Sequence, residues 1–210
     1  MAYHLHIMLA TGRLLPLSDA INTSVTRVAA AIDQVTALPA IDVIVADNPT
    51  HTIPDEGIGG FCGSADLISL ALDPEHAHLD FSDRGAFDRT IAHETHHALR
   101  WAGVGYGKTL GGALVSEGLA GHFVHQVLGT RPEAWESAVP AAELPKLEAE
   151  AIKAWDDPNY DHAAWFFGTS DLAHWGGYSL GFSIVGRYLA AHPDQTPASL
   201  SGASADIFRP

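Results

Sequence analysis

Residues 93–97 read His-Glu-Thr-His-His, so two histidines lie four positions apart with a glutamate directly after the first. On an α-helix, residues four apart are neighbours on one face, with Cβ atoms roughly 5–6 Å apart. The imidazoles of His93 and His97 could therefore bind one cation, and zinc readily accepts imidazole nitrogen. Glu94 flanks the pair and could take a proton from a metal-bound water. The run predicts a helix with His93 and His97 as metal ligands and Glu94 as general base.

The specificity of this pattern is good but not sufficient alone. With 13 histidines in 210 residues, a random arrangement would contain it with a probability of about 0.03. The alternative interpretation is an exposed, histidine-rich helix without a metal. His96 lies on the far side of the helix wheel from Glu94, so we expect a packing residue and only a minor candidate ligand.

A second acidic residue, Glu117, lies in the middle of an apolar helical stripe. The other members of that stripe are Leu110, Leu114, Gly121, Val124 and Leu128. A carboxylate on the inward face of a helix is costly unless it is paired or binds a metal. We therefore expect Glu117 to be the third metal ligand, with a salt bridge to Arg100 as the alternative. The separation from His97 (117 − 97 = 20 residues) lets one helix end and a second return antiparallel.

This arrangement resembles the gluzincin zinc peptidases, in which a helix bearing glutamate follows the H-E-x-x-H helix. More closely, it resembles a bacterial family of predicted zinc-dependent proteases that is filed as a domain of unknown function. The stretches that carry the resemblance are HETHHALR at 93–100, GYGKTL at 105–110 and SEGLA at 116–120, with weaker support at 165–168 and 177–181. The resemblance spans roughly residues 55–190.

The resemblance implies a compact α+β fold of the gluzincin (zincin) type. It implies one zinc ion per chain, held by His93, His97 and Glu117. Glu94 would be the general base. A strand is also expected to run beside the active-site helix, and Leu67 to Leu72 is the candidate.

Two further roles follow from the resemblance. Gluzincins often carry an aspartate four residues after the ligand glutamate, where it orients a ligand histidine, but this chain has Gly121 there. Asp88 and His122 are the candidates to replace that acid. Gluzincins also use a tyrosine or histidine of the C-terminal part to stabilise the oxyanion. We expect Tyr178 in this role, with His174 as the reserve and a core position for Tyr178 as the alternative.

The elements that position these residues follow from apolar periodicity and from turn residues. We predict strands over residues 3–9, 41–46 and 67–72, a loop or glycine-rich hairpin over 51–65, and helices over 17–38, 85–102, 109–128, 142–155 and 178–191. Strands precede helices, which indicates the α+β class. We expect a single zincin-like domain over 1–210, with a strand-rich part at 1–80 and a helical part at 84–192.

Composition excludes several classes of function. The formal net charge of −14 opposes binding to phosphate backbones, so we expect no nucleic-acid partner. No stretch approaches the roughly 20 apolar residues of a membrane span, and the N-terminal residues lack the basic start of an export signal. The single cysteine, Cys62, favours a reducing compartment. We therefore expect a cytoplasmic protein.

The sequence predicts a zinc metallopeptidase that acts on a peptide or protein substrate. Zinc would polarise the scissile carbonyl, and Glu94 would pass the proton of the attacking water to the leaving amine. The alternative is a non-catalytic zinc-binding or protein-interaction module on the same scaffold. The presence of Glu94 argues against this alternative, because loss of catalysis usually frees that position.

Overall fold

A computed structural model of the chain describes residues 3–169 and 171–210. The chain divides into two units, Met1–Ala102 and Gly103–Pro210, each with its own packed elements. The first unit holds a sheet and the second is helical, so the predicted α+β class is confirmed. That residues 1–210 form a single zincin-like domain stays a prediction.

The first unit is built on a four-stranded sheet. Its strands are β1 (Tyr3–Ile7), β2 (Ile41–Asp47), β3 (Ile58–Ser64) and β4 (Leu67–Leu72), in the spatial order β1-β2-β4-β3. β1, β2 and β4 run parallel, and β3 pairs antiparallel with β4 at one edge. Ile41, Val43 and Val45 alternate along β2 and are buried, as a strand facing a core requires. The glycine-rich segment was predicted to be a loop or a hairpin. It forms a hairpin, because β3 pairs antiparallel with β4.

Two helices belong to the first unit, α1 (Ser18–Ile32) and α2 (Ala86–Trp101). α2 packs against β3 and α1 packs against both α2 and β1. α1 ends at Ile32, before the predicted residue 38, and the chain continues in turns, where the N–H groups of Gln34 and Val35 donate to the carbonyls of Ala31 and Ile32.

α2 is buried along most of its length although it carries many polar side chains. Asp88 in its first turn is fully buried and accepts hydrogen bonds from Nε and Nη2 of Arg27 on α1, both at 2.8 Å. Thr95 shares a 2.5 Å hydrogen bond with the hydroxyl of Tyr3 on β1. Paired, charge-assisted hydrogen bonds of the Arg27 kind are strong and directional. Neighbouring elements therefore fix α2 by satisfying its buried polar groups.

The second unit is helical. Its helices are α3 (Leu110–Leu128), α4 (Leu144–Lys153), α5 (His162–Phe167) and α6 (Gly176–Ala191). α3 and α6 approach each other closely: a Cβ atom built on Gly118 would lie only 2.2 Å from the carbonyl oxygen of Gly181. Glycine at position 118 allows this approach. α3 ends at Gly129, whose φ of 64° is the left-handed conformation that glycine adopts without strain.

Most of the predicted elements are present. The two helices that carry the candidate ligands match their predicted spans of 85–102 and 109–128 closely. α5 was not predicted, because six residues are too few for apolar periodicity to reveal a helix. Within the described residues, no helix is both long and apolar enough to cross a membrane.

Candidate metal centre

His93 and His97 lie one turn apart on α2. Their Nε2 atoms are 3.1 Å apart, and their ring centroids are 4.7 Å apart. Two nitrogens bound to one tetrahedral zinc ion, at Zn–N distances of roughly 2.0–2.1 Å, would lie about 3.4 Å from each other. The two imidazoles therefore already hold nearly the spacing that a shared zinc ion requires.

Glu94 forms a three-residue cluster with these histidines. One ligand atom from each of His93, Glu94 and His97 lies within 4.8 Å of the other two. His97 and Glu94 are buried, with exposed fractions of 5% and 7%. Imidazole nitrogen and carboxylate oxygen are donors that suit zinc. The donor set therefore fits a zinc ion, and the H-E-x-x-H run lies on one helix, as its spacing predicts.

β3 lies directly against Glu94. A Cβ atom built on Gly60 would lie 2.6 Å from Cγ of Glu94 and 2.7 Å from its Oε1. A side chain at this position would displace the carboxylate, so glycine allows the strand backbone to approach it. The strand expected beside the active-site helix was Leu67–Leu72. The structure places this strand, β4, against α2, and adds the edge strand β3, which packs on α2 more extensively and contacts Glu94.

Two other potential ligands of the first unit lie outside this cluster. His96 is fully buried in α2 and is not among the three clustered residues. Cys62 on β3 donates from Sγ to the carbonyl oxygen of Ser64 at 3.1 Å. Burial, and then the nearby charge of Glu94, raises the pKa of the Cys62 thiol to about 12. The thiol stays protonated near neutral pH, whereas a metal ligand must be a thiolate.

Asp88 was a candidate for the acid missing at the position of Gly121. Its two carboxylate oxygens accept hydrogen bonds from Arg27, and its Oδ2 also accepts one from the backbone N–H of Arg84. The hydrogen bond with Asp88 raises the pKa of Arg27. Three donors on one buried carboxylate tie α1 and the preceding loop to α2, so Asp88 anchors the helix.

In the second unit, Gly121 itself lies against a carboxylate. A Cβ atom built on Gly121 would lie 2.2 Å from Oε1 of Glu136, which is 7% exposed. The other oxygen of Glu136 lies 3.3 Å from Nε2 of His125. An acid from a later segment therefore takes up the space beside α3 at this position. His122, the other candidate, instead bonds the carbonyl oxygen of Phe182 at 2.9 Å and stacks on its ring.

Glu117 lies in the middle of α3 and is 8% exposed, as its place in the apolar stripe predicts. The hydroxyl of Tyr106 donates a 2.6 Å hydrogen bond to its Oε1. Burial, and then the charge of Glu117, raises the pKa of Tyr106 well above its usual value. The Tyr106 hydroxyl therefore stays protonated and keeps donating to the carboxylate.

Two residues near Glu117 were missed from the sequence, Tyr160 and His162. The Tyr160 hydroxyl lies 3.1 Å from Nδ1 of His162. Burial, and then the charge of Glu117, raises the pKa of Tyr160. Burial lowers the pKa of His162, and the same charge opposes that shift. No spacing rule links residues 117 and 160–162, so no signal in the sequence could have found them.

Tyr178 and His174 were the two candidates for stabilising an oxyanion. Tyr178 lies in the first turn of α6, is partly buried and meets the ring of Phe166 edge to face at 5.0 Å. Its charge state influences the pKa of Tyr106, so the two hydroxyl groups share one region. His174 is exposed, and its Nδ1 lies 2.7 Å from the carbonyl oxygen of Phe167.

The fold and the site define an α+β protein with a candidate metal-binding cluster on a buried helix. A family model described as "Predicted Zn-dependent protease (DUF2268)" matches residues 21–209. The chain therefore belongs to this family, and the family resemblance seen in the sequence is confirmed. No curated protein and no solved structure matches the chain.

The cluster predicts which histidines hold zinc. His93→Ala and His97→Ala should each weaken zinc binding by at least roughly 10²-fold, because each would remove one of the predicted ligands. His96→Ala is the matched control from the same helix and should keep the affinity, although it loses packing. Competition with a chromophoric chelator measures the affinity, at a temperature where circular dichroism shows every variant folded. Loss of zinc from His96→Ala with retention by His97→Ala would contradict the assignment.

Proposed function

We propose that this chain is a zinc-dependent peptidase that binds one zinc ion and hydrolyses peptide bonds. The observation that carries the proposal is the 3.1 Å approach of the Nε2 atoms of His93 and His97, with Glu94 in the same cluster. The description of the family, a predicted zinc-dependent protease, supports it. The second candidate function is a zinc-binding module without catalysis.

The proposed ligands are His93, His97 and Glu117. Three protein ligands and an open fourth position are typical of catalytic zinc. Glu117 is supported by its burial, because a buried carboxylate needs hydrogen-bond donors or a cation. Zinc bound there would polarise the scissile carbonyl and lower the pKa of the attacking water.

Glu94 is the proposed general base. Its carboxylate would accept a proton from the attacking water and pass it to the nitrogen of the leaving amine. Its position supports this role, since it lies between the two histidines in the sequence and shares their cluster. The backbone of β3 at Gly60 lies close beside this carboxylate and limits the space into which it can move.

The edge of β3 supports a peptide as substrate. The N–H of Ile53 donates to the carbonyl of Ile58 at 2.9 Å, and the indole N–H of Trp101 donates to the carbonyl of Cys62 at 3.1 Å. Backbone groups of alternate residues point to the same edge of a strand. Gly60 therefore directs its N–H and C=O outward between these two positions. An extended peptide could pair there, beside the proposed base.

The charge and composition support a peptide or protein as the partner. A formal net charge of −14 repels phosphate backbones and therefore disfavours nucleic acid. The single cysteine supports a cytoplasmic location, where thiols stay reduced. No membrane partner is part of the proposal.

The proposed base is tested by Glu94→Gln, which keeps the size of the side chain but removes its basicity. Hydrolysis of a broad peptide library should fall by roughly 10²–10⁴-fold. Zinc content and thermal stability should stay near wild type, because neither depends on proton transfer. Equal cleavage by the two proteins would remove Glu94 from the mechanism. A wild type that holds zinc and cleaves nothing would favour the binding module.

The close contact between β3 and the Glu94 side chain is tested by Gly60→Ala. The new Cβ atom would lie within 2.7 Å of the Glu94 side chain, and a displacement of about 1 Å can lower a catalytic rate roughly 10²-fold. Gly63→Ala on the same strand is the control. Its Cβ atom would meet only the ring of Phe61, at 3.0 Å. Phe61 is 69% exposed, so its side chain can rotate away. Peptidase assays at equal zinc content compare the two. Unchanged activity of Gly60→Ala would show that strand contact does not position the base.

Tyr178 is the proposed donor to the developing oxyanion, with His174 as the reserve. Tyr178→Phe should lower kcat by roughly 10²–10³-fold, because it removes one donor to the charge of the transition state. The ring contact with Phe166 needs no hydroxyl, so fold and zinc content should not change. If kcat is the same in Tyr178→Phe and falls in His174→Ala, the reserve is the correct residue.

A further inference from the structure

The segment before α3 is a short loop with a glycine on each side of Tyr106. Both glycines have positive φ, 80° at Gly105 and 104° at Gly107, which side-chain-bearing residues rarely adopt. Two such residues reverse the chain on either side of Tyr106. The loop conformation is therefore set by glycine at both positions.

This loop packs onto α3 at close range. A Cβ atom built on Gly107 would lie 2.6 Å from Cα of Gly112, and one built on Gly112 would lie 2.9 Å from Cα of Gly107. Only a pair of glycines lets the two backbones come so near. The contact brings the loop alongside the first turns of α3, where the helix is fully buried.

Two hydrogen bonds with adjacent residues of α3 then fix Tyr106. The hydroxyl of Ser116 donates to the backbone carbonyl of Tyr106, and the hydroxyl of Tyr106 donates to Oε1 of Glu117 at 2.6 Å. Ser116 is fully buried and Glu117 is 8% exposed. The backbone and the side chain of one loop residue are therefore held by neighbouring positions of the helix.

We propose that Tyr106 is a positioning residue that fixes the orientation of the Glu117 carboxylate for zinc binding. This inference rests on the proposed role of Glu117 as a zinc ligand. A carboxylate can rotate about its last bond, and a donor locked to one oxygen removes that freedom. Groups that hydrogen-bond to metal ligands in this way typically change metal affinity by roughly 10–100-fold. The Gly-Tyr-Gly loop is then part of the metal centre, although Tyr106 itself does not bind the ion.

The test uses Tyr106→Phe in the full chain, which removes the hydroxyl and keeps the ring. The dissociation constant for zinc, measured by chelator competition, should rise roughly 10–100-fold. The visible absorption spectrum at saturating cobalt should also change, because the ligand carboxylate is no longer fixed. A purely structural role for the hydroxyl would leave that spectrum as in the wild type.

Tyr188→Phe is the matched control. Tyr188 is a partly buried tyrosine of the same unit, and its ring packs on His192 and Phe208. It should keep both the zinc affinity and the cobalt spectrum. Thermal unfolding of the metal-free proteins should show all three chains equally folded.

Glu117→Gln separates this inference from the function on which it rests. If Glu117→Gln weakens zinc binding strongly while Tyr106→Phe leaves affinity and spectrum unchanged, the positioning role is wrong and the ligand assignment stands. If Glu117→Gln binds zinc as the wild type does, the ligand assignment is wrong and the positioning role with it. Weaker zinc binding by both variants, with a changed cobalt spectrum in Tyr106→Phe, supports both.

Discussion

The burial of a polar helix is the constraint on which the first unit depends. α2 places an aspartate, a glutamate, a threonine, two histidines and an arginine in the interior. A buried polar group without a partner costs roughly 1–3 kcal/mol, and more when it is charged. Arg27 of α1 and Tyr3 of β1 meet two of these groups directly. The low polarity of the interior makes an unpaired polar group costly. It also strengthens the electrostatic interactions within the cluster of His93, Glu94 and His97.

Part of this site could be predicted from the sequence, because it depends on spacing along a single helix. The separation of His93 and His97 is a property of one helix, so their Nε2 approach follows from the four-residue interval. The burial of Glu117 followed from the same kind of periodicity. The contact between Gly60 and Glu94 could not be predicted, because it depends on how a hairpin packs against a helix. The donors to Asp88 and Glu117 likewise come from loops and elements that no periodicity connects to them.

The position of Gly121 illustrates why residue-by-residue transfer of a pattern is incomplete. A search at a fixed interval after Glu117 finds a glycine and predicts a missing acid. In space, the carboxylate of Glu136 lies where a side chain at Gly121 would begin, and its other oxygen lies 3.3 Å from Nε2 of His125. A carboxylate can thus lie beside a helix position although a residue of a later segment supplies it. A pattern with a fixed interval detects an acid only on the same helix, and not one that a later segment supplies.

The edge of β3 also bears on how the protein behaves at high concentration. Exposed edge strands invite pairing with strands of other molecules, which leads to aggregation. Ile53 covers one end of this edge and the indole of Trp101 covers the other, so the stretch between them is only about three residues long. A glycine-rich stretch of that length holds a second chain only weakly, because few backbone pairs can form and glycine offers no side chain to pack. The same two caps that leave room for one short segment thus limit association through the β3 edge of the sheet.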